Sequence, residues 1–142
     1  MIASKALKQY ANVSKRAGIE DATPHQLIMM LYDGALESLM TAIGCIERKD
    51  FAGKGQALGK AITIIGGLQG FLDMEKGGDV ARNLDRLYDY MGVRLYDATL
   101  KNDVAIVNEV VGLLKTVREG WEGIRDEANR MHQQTKSGGP GA

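Results

Sequence analysis

The sequence predicts an all-α fold, an antiparallel up-down four-helix bundle with a short mobile amphipathic segment at its N-terminus. Four stretches place apolar residues three and four positions apart, the spacing that buries one stripe of a helix. Capping residues and short turns separate these stretches, and consecutive helices joined by short turns run antiparallel. The chain of 142 residues is 44% hydrophobic and 25% charged, a composition typical of one domain with a substantial core.

Residues 1–22 are expected to form the mobile segment, ahead of a bundle at residues 23–131. Apolar residues of this segment, among them Leu7, Tyr10 and Val13, follow helical spacing, but lysines interrupt them. Since an isolated helix below about 12–15 residues is marginal in water, the segment should become ordered only by docking on the bundle.

The first helix is predicted over residues 23–46, and three signals mark its start. Thr23 is a good N-cap, Pro24 occupies the first helical position, and Gln26 is placed to complete a capping box. One apolar stripe then continues along the helix: Leu27, Leu31, Ala35, Leu39, Ala42 and Ile46. Further apolar residues widen this stripe, so the helix needs more than one neighbour.

The second helix is predicted from the N-cap Asp50 to about Leu72. Its core stripe comprises Leu58, Ala61, Ile62, Ile65, Leu68 and Leu72. Several glycines interrupt it, although each costs about 0.5–1 kcal/mol of helix stability relative to alanine. One narrow sector beside the stripe holds Gly59, Thr63, Gly66 and Gly70, which form a shallow trough.

Apolar surface continues on the opposite flank of the second helix, at Ala57, Ile64 and Phe71. Two interpretations of the trough remain open. The glycines allow either close packing on a neighbouring helix of the bundle or the entry of a partner helix into a groove.

The third helix is predicted from about Asp79 to Lys101, after a turn that contains Gly77 and Gly78. Its core seam comprises Val80, Leu84, Leu87, Met91, Leu95 and Ala98. Val93, Tyr96 and Leu100 cluster on nearly the opposite face, which indicates either a second buried side or a docking surface.

The fourth helix is predicted from the N-cap Asp103 to about Met131. Its apolar face comprises Val107, Val110, Val111, Leu114, Val117, Trp121 and Ile124. Small residues, Gly112 and Gly120 among them, occupy the outer sector. We interpret this sector as a solvated face; the alternative is a second surface that a foreign backbone could approach closely. Residues 132–142 are polar, end in Ser-Gly-Gly-Pro-Gly-Ala and are expected to form a disordered tail.

Composition and motifs exclude several classes of function. Lys plus Arg and Asp plus Glu are balanced at 18 each, so nothing favours nucleic-acid binding. Cys45 is the only cysteine, and no apolar run reaches the roughly 18 residues of a membrane span; we therefore expect a cytoplasmic protein without stable membrane insertion. His25 and His132 lie outside any metal-ligand motif, and no catalytic constellation is evident, so we expect no metal, no cofactor and no enzymatic activity.

A set of short motifs, in order along most of the chain, resembles the FliS family of flagellar export chaperones. The motifs are Thr23-Pro-His-Gln-Leu-Ile, Met30-Leu-Tyr-Asp-Gly-Ala, Lys60-Ala-Ile, Glu75-Lys-Gly-Gly, Asn83-Leu, Leu87-Tyr-Asp-Tyr-Met, Asn102-Asp and Trp121. The resemblance covers roughly residues 10–124 and departs at Ile2, where the family often has tyrosine.

The resemblance implies a cytoplasmic chaperone that binds the disordered C-terminal segment of flagellin, prevents its premature polymerisation and keeps it competent for type III export. It also places the N-terminal segment on the client site when flagellin is absent, so we expect that segment to act as a lid. An alternative is a helical-bundle regulator or adaptor that binds another flagellar protein, such as a co-chaperone, or an anti-sigma factor. The residues expected to bind the partner are Leu7, Tyr10, Gly59, Ile64, Gly66, Gly70, Phe71, Val93, Tyr96 and Leu100.

Overall fold

The computed structural model describes residues 22–137, which form α-helices joined by short turns and, within that range, contain no strand. The helices are α1 (Pro24–Glu47), α2 (Phe51–Gly70), α3 (Gly78–Lys101), α4 (Val104–Gly123) and α5 (Arg125–Ser137). The structure confirms the all-α class and the four predicted long helices. The predicted N-terminal segment, including Leu7 and Tyr10, lies outside the described residues.

The four long helices form a closed ring. α1 packs against α2 and α4, and α3 packs against the same two helices from the other side. The connections at residues 48–50, 71–77 and 102–103 are short, so consecutive members of the four long helices are antiparallel. The short α5 lies outside the ring and contacts only α1 and α4 among the described elements.

α1 supplies a full side of the core, as its stripe predicts. The Thr23 hydroxyl accepts a hydrogen bond from the Gln26 backbone N–H at 3.1 Å, and the Thr23 N–H donates to Gln26 Oε1 at 2.8 Å, which confirms the capping box. All six stripe residues are buried. Within the described range α1 is also long and apolar enough to cross a membrane, a property that core helices of soluble proteins share.

Lys54 is buried between the start of α2 and the end of α3, an arrangement that sequence reasoning missed. Its ammonium donates hydrogen bonds to the Thr99 carbonyl at 2.9 Å and to Asn102 Oδ1 at 2.6 Å. Asn102 ends α3 in the left-handed conformation with φ 52°. The last carbonyls of a helix have no hydrogen-bond partner within the helix, so a buried cation at this point supplies a donor to them. Its positive charge also interacts favourably with the negative end of the helix dipole.

Two buried tyrosines meet in the centre of the ring. The hydroxyl of Tyr32 on α1 and that of Tyr88 on α3 form a short hydrogen bond between two helices whose backbones are not in direct contact. The Trp121 side chain on α4 partly opposes the rise in the pKa of both hydroxyls. The predicted seam of α3 included Leu87 instead of Tyr88. Tyr88 lies four residues after Leu84 and three before Met91, so it fits the same spacing, and it is buried whereas Leu87 is half-buried.

Burial differs from the sequence prediction at two positions of the bundle wall. Val80 was expected in the α3 seam, but 68% of it is exposed, because the first turn of α3 extends past the end of α2. Ala57 was expected on an outer flank of α2, but it is buried, because α1 and α2 share the most extensive contact in the bundle and the core arc of α2 is correspondingly wide.

The chain bends at the end of α4, where one continuous helix was predicted. α4 stops at Gly123, and Ile124 is its half-exposed C-cap rather than a core residue. A separate helix, α5, then continues to Ser137, whereas residues 132–142 were expected to form a disordered tail. Thr23 donates a weak hydrogen bond to Asn129 of α5 at 3.4 Å, which links this helix to the start of α1.

The tyrosine pair should contribute measurably to stability. We expect Tyr88→Phe to lower the free energy of unfolding by about 1–3 kcal/mol, because it removes one partner of a buried hydrogen bond. Tyr32→Phe should act similarly, and the double variant should lose less than the sum of the two. Urea melts of the four proteins measure this coupling, with the exposed Tyr90→Phe as a control that should change stability by less than about 0.5 kcal/mol. Strict additivity would show that the two hydroxyls do not interact.

The same pair predicts loss of stability at alkaline pH. Burial is the main cause that raises the pKa of both Tyr32 and Tyr88 above the ordinary 10.0. A group whose pKa is raised on folding stabilises the fold fully below its unfolded pKa, and this contribution is lost as pH rises through the folded-state pKa. The free energy of unfolding of the wild type should therefore decrease above about pH 10, and more steeply than that of the double phenylalanine variant. Parallel pH profiles would refute this account of the decrease.

Candidate functional site

A groove with a volume of about 250 Å³ runs between α2 and α3 on the outside of the bundle. It is lined by Ile62, Ile65, Gly66, Gln69, Tyr88, Asp89, Gly92, Val93 and Tyr96. Three residues singled out from the sequence, Gly66, Val93 and Tyr96, therefore lie in one groove although they come from two helices. Aliphatic and aromatic side chains dominate the lining, so the groove is suited to bind apolar surface.

Glycines on both helices deepen the groove. A methyl group added to Gly66 of α2 or to Gly92 of α3 would meet no other atom within 4 Å. The same holds for Gly59, which lies three residues before Ile62, the first groove residue on α2. Close packing on a neighbouring helix, the first interpretation of these glycines, is therefore wrong at Gly59 and Gly66. Gly92 was missed, although its position next to Val93 and four residues before Tyr96 was a usable signal.

The rim of the groove on α3 is apolar and exposed. The exposed fraction is 61% for Val93, 63% for Tyr96 and 81% for Leu100. The interpretation of this face as a second buried side of α3 is therefore wrong. Leu100 lies one turn beyond Tyr96 and extends the apolar surface past the end of the groove.

The structure distributes the remaining predicted site residues over other surfaces. Ile64 is half-buried and faces α1, where its Cδ1 atom would lie 3.5 Å from a methyl group added to Gly34. Phe71 faces a cavity at the end of the bundle. Gly70, the last residue of α2, is half-buried outside the groove lining, and Gly59 is exposed near the start of the same helix.

The cavity that Phe71 faces is a second apolar feature, and it was not predicted from the sequence. Its volume is about 270 Å³, and its walls come from α1, α2, the turn after α2, α3 and α4. A shallower apolar pocket between α3 and α4, lined by Val80, Leu84, Trp121 and their neighbours, adjoins it. Tyr88 lines both the cavity and the α2–α3 groove, so the two features share a wall.

Polar contacts between α3 and α4 lie beside these apolar surfaces. Arg94 on α3 donates to Glu109 on α4 at 2.7 Å, and Tyr90 donates to the same carboxylate at 3.1 Å. The hydrogen bond with Arg94 is the main cause that lowers the pKa of Glu109. No three His, Cys, Asp or Glu side chains among the described residues lie in position to hold a metal ion.

Comparison with known proteins gives a consistent result. A family model described as flagellar protein FliS matches residues 6–128. The chain is 52% identical to the flagellar secretion chaperone FliSB of Pseudomonas aeruginosa over 124 residues, which cover 87% of this chain and 98% of that relative. It is 47% identical to the flagellar secretion chaperone FliS of Salmonella typhimurium over 91% of this chain and 96% of the relative. It is 33% identical to the flagellar secretion chaperone FliS of Bacillus subtilis over 80% of this chain and 85% of that relative.

The exposure of Tyr96 predicts that this residue contributes little to folding. Tyr96→Ala should change the free energy of unfolding by less than about 0.5 kcal/mol, as surface substitutions usually do. Tyr88→Ala is the matched control, since truncation of a buried aromatic side chain on the same helix should cost about 3–5 kcal/mol. Urea melts of both variants measure the difference. A comparable loss for the two would place Tyr96 in the core.

Proposed function

This chain belongs to the FliS family of flagellar secretion chaperones, and we propose that its client is flagellin. In this proposal the chaperone binds the disordered C-terminal segment of flagellin in the cytoplasm. The bound segment is thereby withheld from premature polymerisation and kept competent for type III export.

The α2–α3 groove is the observation that carries the proposal. Its floor lacks side chains at Gly66 and Gly92, and its α3 rim exposes Val93 and Tyr96. Solvent-exposed large apolar residues in a contiguous patch are unusual on a monomeric soluble protein and are typical of a binding surface. An amphipathic helix that lays its apolar face into a groove recognises such a surface through anchors at i, i+3 or i+4, and i+7.

The shape of the groove suits a client that folds on binding. Without a rigid binding pocket for charged groups, affinity must come mainly from apolar area, and part of that free energy is offset by ordering the client. The resulting complex is reversible, as a secretion chaperone requires. The second apolar cavity beside Trp121 offers additional surface for a client long enough to reach it.

The groove glycine Gly66 provides a direct test of this function. Gly66→Leu should weaken binding of a C-terminal flagellin fragment by more than tenfold, about 1.4 kcal/mol, because the new side chain fills the space that the client would occupy. The thermal midpoint should stay equal or rise, since a methyl group at this position meets no neighbour and glycine is a poor helix former. Calorimetric titration and thermal melts measure the two quantities.

Gly112→Leu on α4 is the matched control, because Gly112 is also a helical glycine whose added methyl group would meet nothing within 4 Å. It should leave the affinity for the flagellin fragment unchanged. Equal affinities of the two variants would contradict the placement of the client in this groove. Failure of the wild type to bind flagellin, together with binding of an anti-sigma factor or of a co-chaperone, would instead support the regulator interpretation.

A further inference from the structure

The lining of the α2–α3 groove contains one charged side chain, that of Asp89. It lies on α3 at the end of the groove nearest to the turn after α2. Gln69 on α2 donates from Nε2 to Asp89 Oδ1 at 2.8 Å, and the same nitrogen donates to Asp85 Oδ1 at 2.8 Å. The amide of Gln69 therefore holds the Asp89 carboxylate at the rim of an otherwise apolar groove.

The negative charge at this position is not neutralised within the bundle. Among the side chains that the structure describes, no lysine or arginine forms an ion pair with Asp85 or Asp89. Two other carboxylates of the α3–α4 surface differ in this respect, since Arg94 pairs with both Asp97 and Glu109. A client in the groove thus meets an uncompensated carboxylate at one end and apolar side chains along the rest.

The length of the groove fixes the spacing of the client residues that contact it. From Asp89 to Tyr96 on α3, and from Gln69 back to Ile62 on the antiparallel α2, the groove spans seven residues, or about 10 Å at 1.5 Å per residue. Two turns of a client helix cover the same distance. Its side chains at i, i+3 or i+4, and i+7 face one side of the helix and reach the two ends and the middle of the groove.

From this geometry we infer that the groove selects a helix with a lysine or arginine two turns away from an apolar anchor. The apolar anchor lies against Ile62 and Tyr96, a second apolar residue occupies the space between Gly66 and Gly92, and the cation approaches Asp89. This inference rests on the proposed function and adds a specificity-determining residue to it. Charge complementarity at the rim of an interface determines partner choice and association rate more than total affinity.

Charge reversal of Asp89 tests the inference. The C-terminal fragment of the flagellin from the same bacterium would be titrated into the wild type, Asp89→Asn, Asp89→Lys and the control Glu47→Lys. Glu47 is exposed at the end of α1, away from the groove, and Glu47→Lys changes the net charge by the same amount as Asp89→Lys. We expect Asp89→Asn to weaken binding about two- to fivefold, as for a partly exposed ion pair, and Asp89→Lys about tenfold. Glu47→Lys should change it less than twofold.

Two further measurements separate a charge contact from a disturbance of the fold. Raising the salt concentration should weaken binding of the wild type more than that of Asp89→Asn, because only the former retains the screened attraction. In addition, replacing the lysines and arginines of the fragment singly by glutamate should identify one position at which the affinity for Asp89→Lys is restored. Circular dichroism melts of the free variants should coincide with the wild type.

The possible outcomes distinguish this inference from the proposed function. If the wild type binds flagellin and Asp89→Lys binds as tightly as Glu47→Lys, charge selection by the groove is refuted while the chaperone function stands. The same holds if no single exchange to glutamate in the fragment restores binding to Asp89→Lys. If the wild type does not bind the fragment at all, the proposed function itself fails.

Discussion

The hydrogen bond between Tyr32 and Tyr88 is the contact on which the rest of the bundle depends. It crosses the ring from α1 to α3, two helices whose backbones are not in direct contact, and the side chain of Trp121 on α4 influences the pKa of both hydroxyls. Buried hydroxyls must find partners, and a partner exists here in only one relative rotation of the helices. The network thereby specifies which face of α3 points inward, which leaves Val93 and Tyr96 pointing outward.

The exposed side of the bundle follows from this constraint. With α3 fixed by Tyr88, its Gly92 comes opposite Gly66 of α2, and the absence of two side chains opens the groove between the helices. Tyr88 forms part of the groove wall and part of the wall of the cavity beside Trp121. The same side chain that holds the core together thus shapes both apolar features. Lys54 and Asn102 secure the opposite end of the α2–α3 pair, so that the two groove walls are held at both ends.

A surface of this kind is suited to holding a client rather than to transforming it. The groove offers apolar contact area and one carboxylate without an ion pair among the described side chains, so in the proposed function its selectivity comes from the spacing of apolar and charged residues in the partner. Burial of apolar area is non-directional and tolerates small changes of sequence, whereas a single charge at a fixed position rejects segments in the wrong register. Both properties are useful to a chaperone that must bind firmly and release its client intact.

The class of fold, the four long helices, the capping box at Thr23 and the family could all be predicted from the sequence. These features are local: caps and turns act over a few residues, and the 3.6-residue period shows which stripe of each helix is apolar. The sequence also identified Gly66, Val93 and Tyr96, because glycines inside a helix and apolar residues opposite a core seam are anomalies visible without a structure. It did not determine which anomalies face one another.

The three-dimensional arrangement was needed to show that Gly66 and Gly92 line one groove, that Ile64 and Phe71 lie outside it, and that Tyr88 and Lys54 are buried. Those outcomes depend on the rotation of each helix about its axis and on where its neighbour ends. Val80 is exposed because α2 ends before reaching it. Lys54 is buried because its ammonium donates a hydrogen bond to the Thr99 carbonyl at the end of α3. Such facts involve residues far apart in the chain, and the apolar period of a single helix carries no information about them.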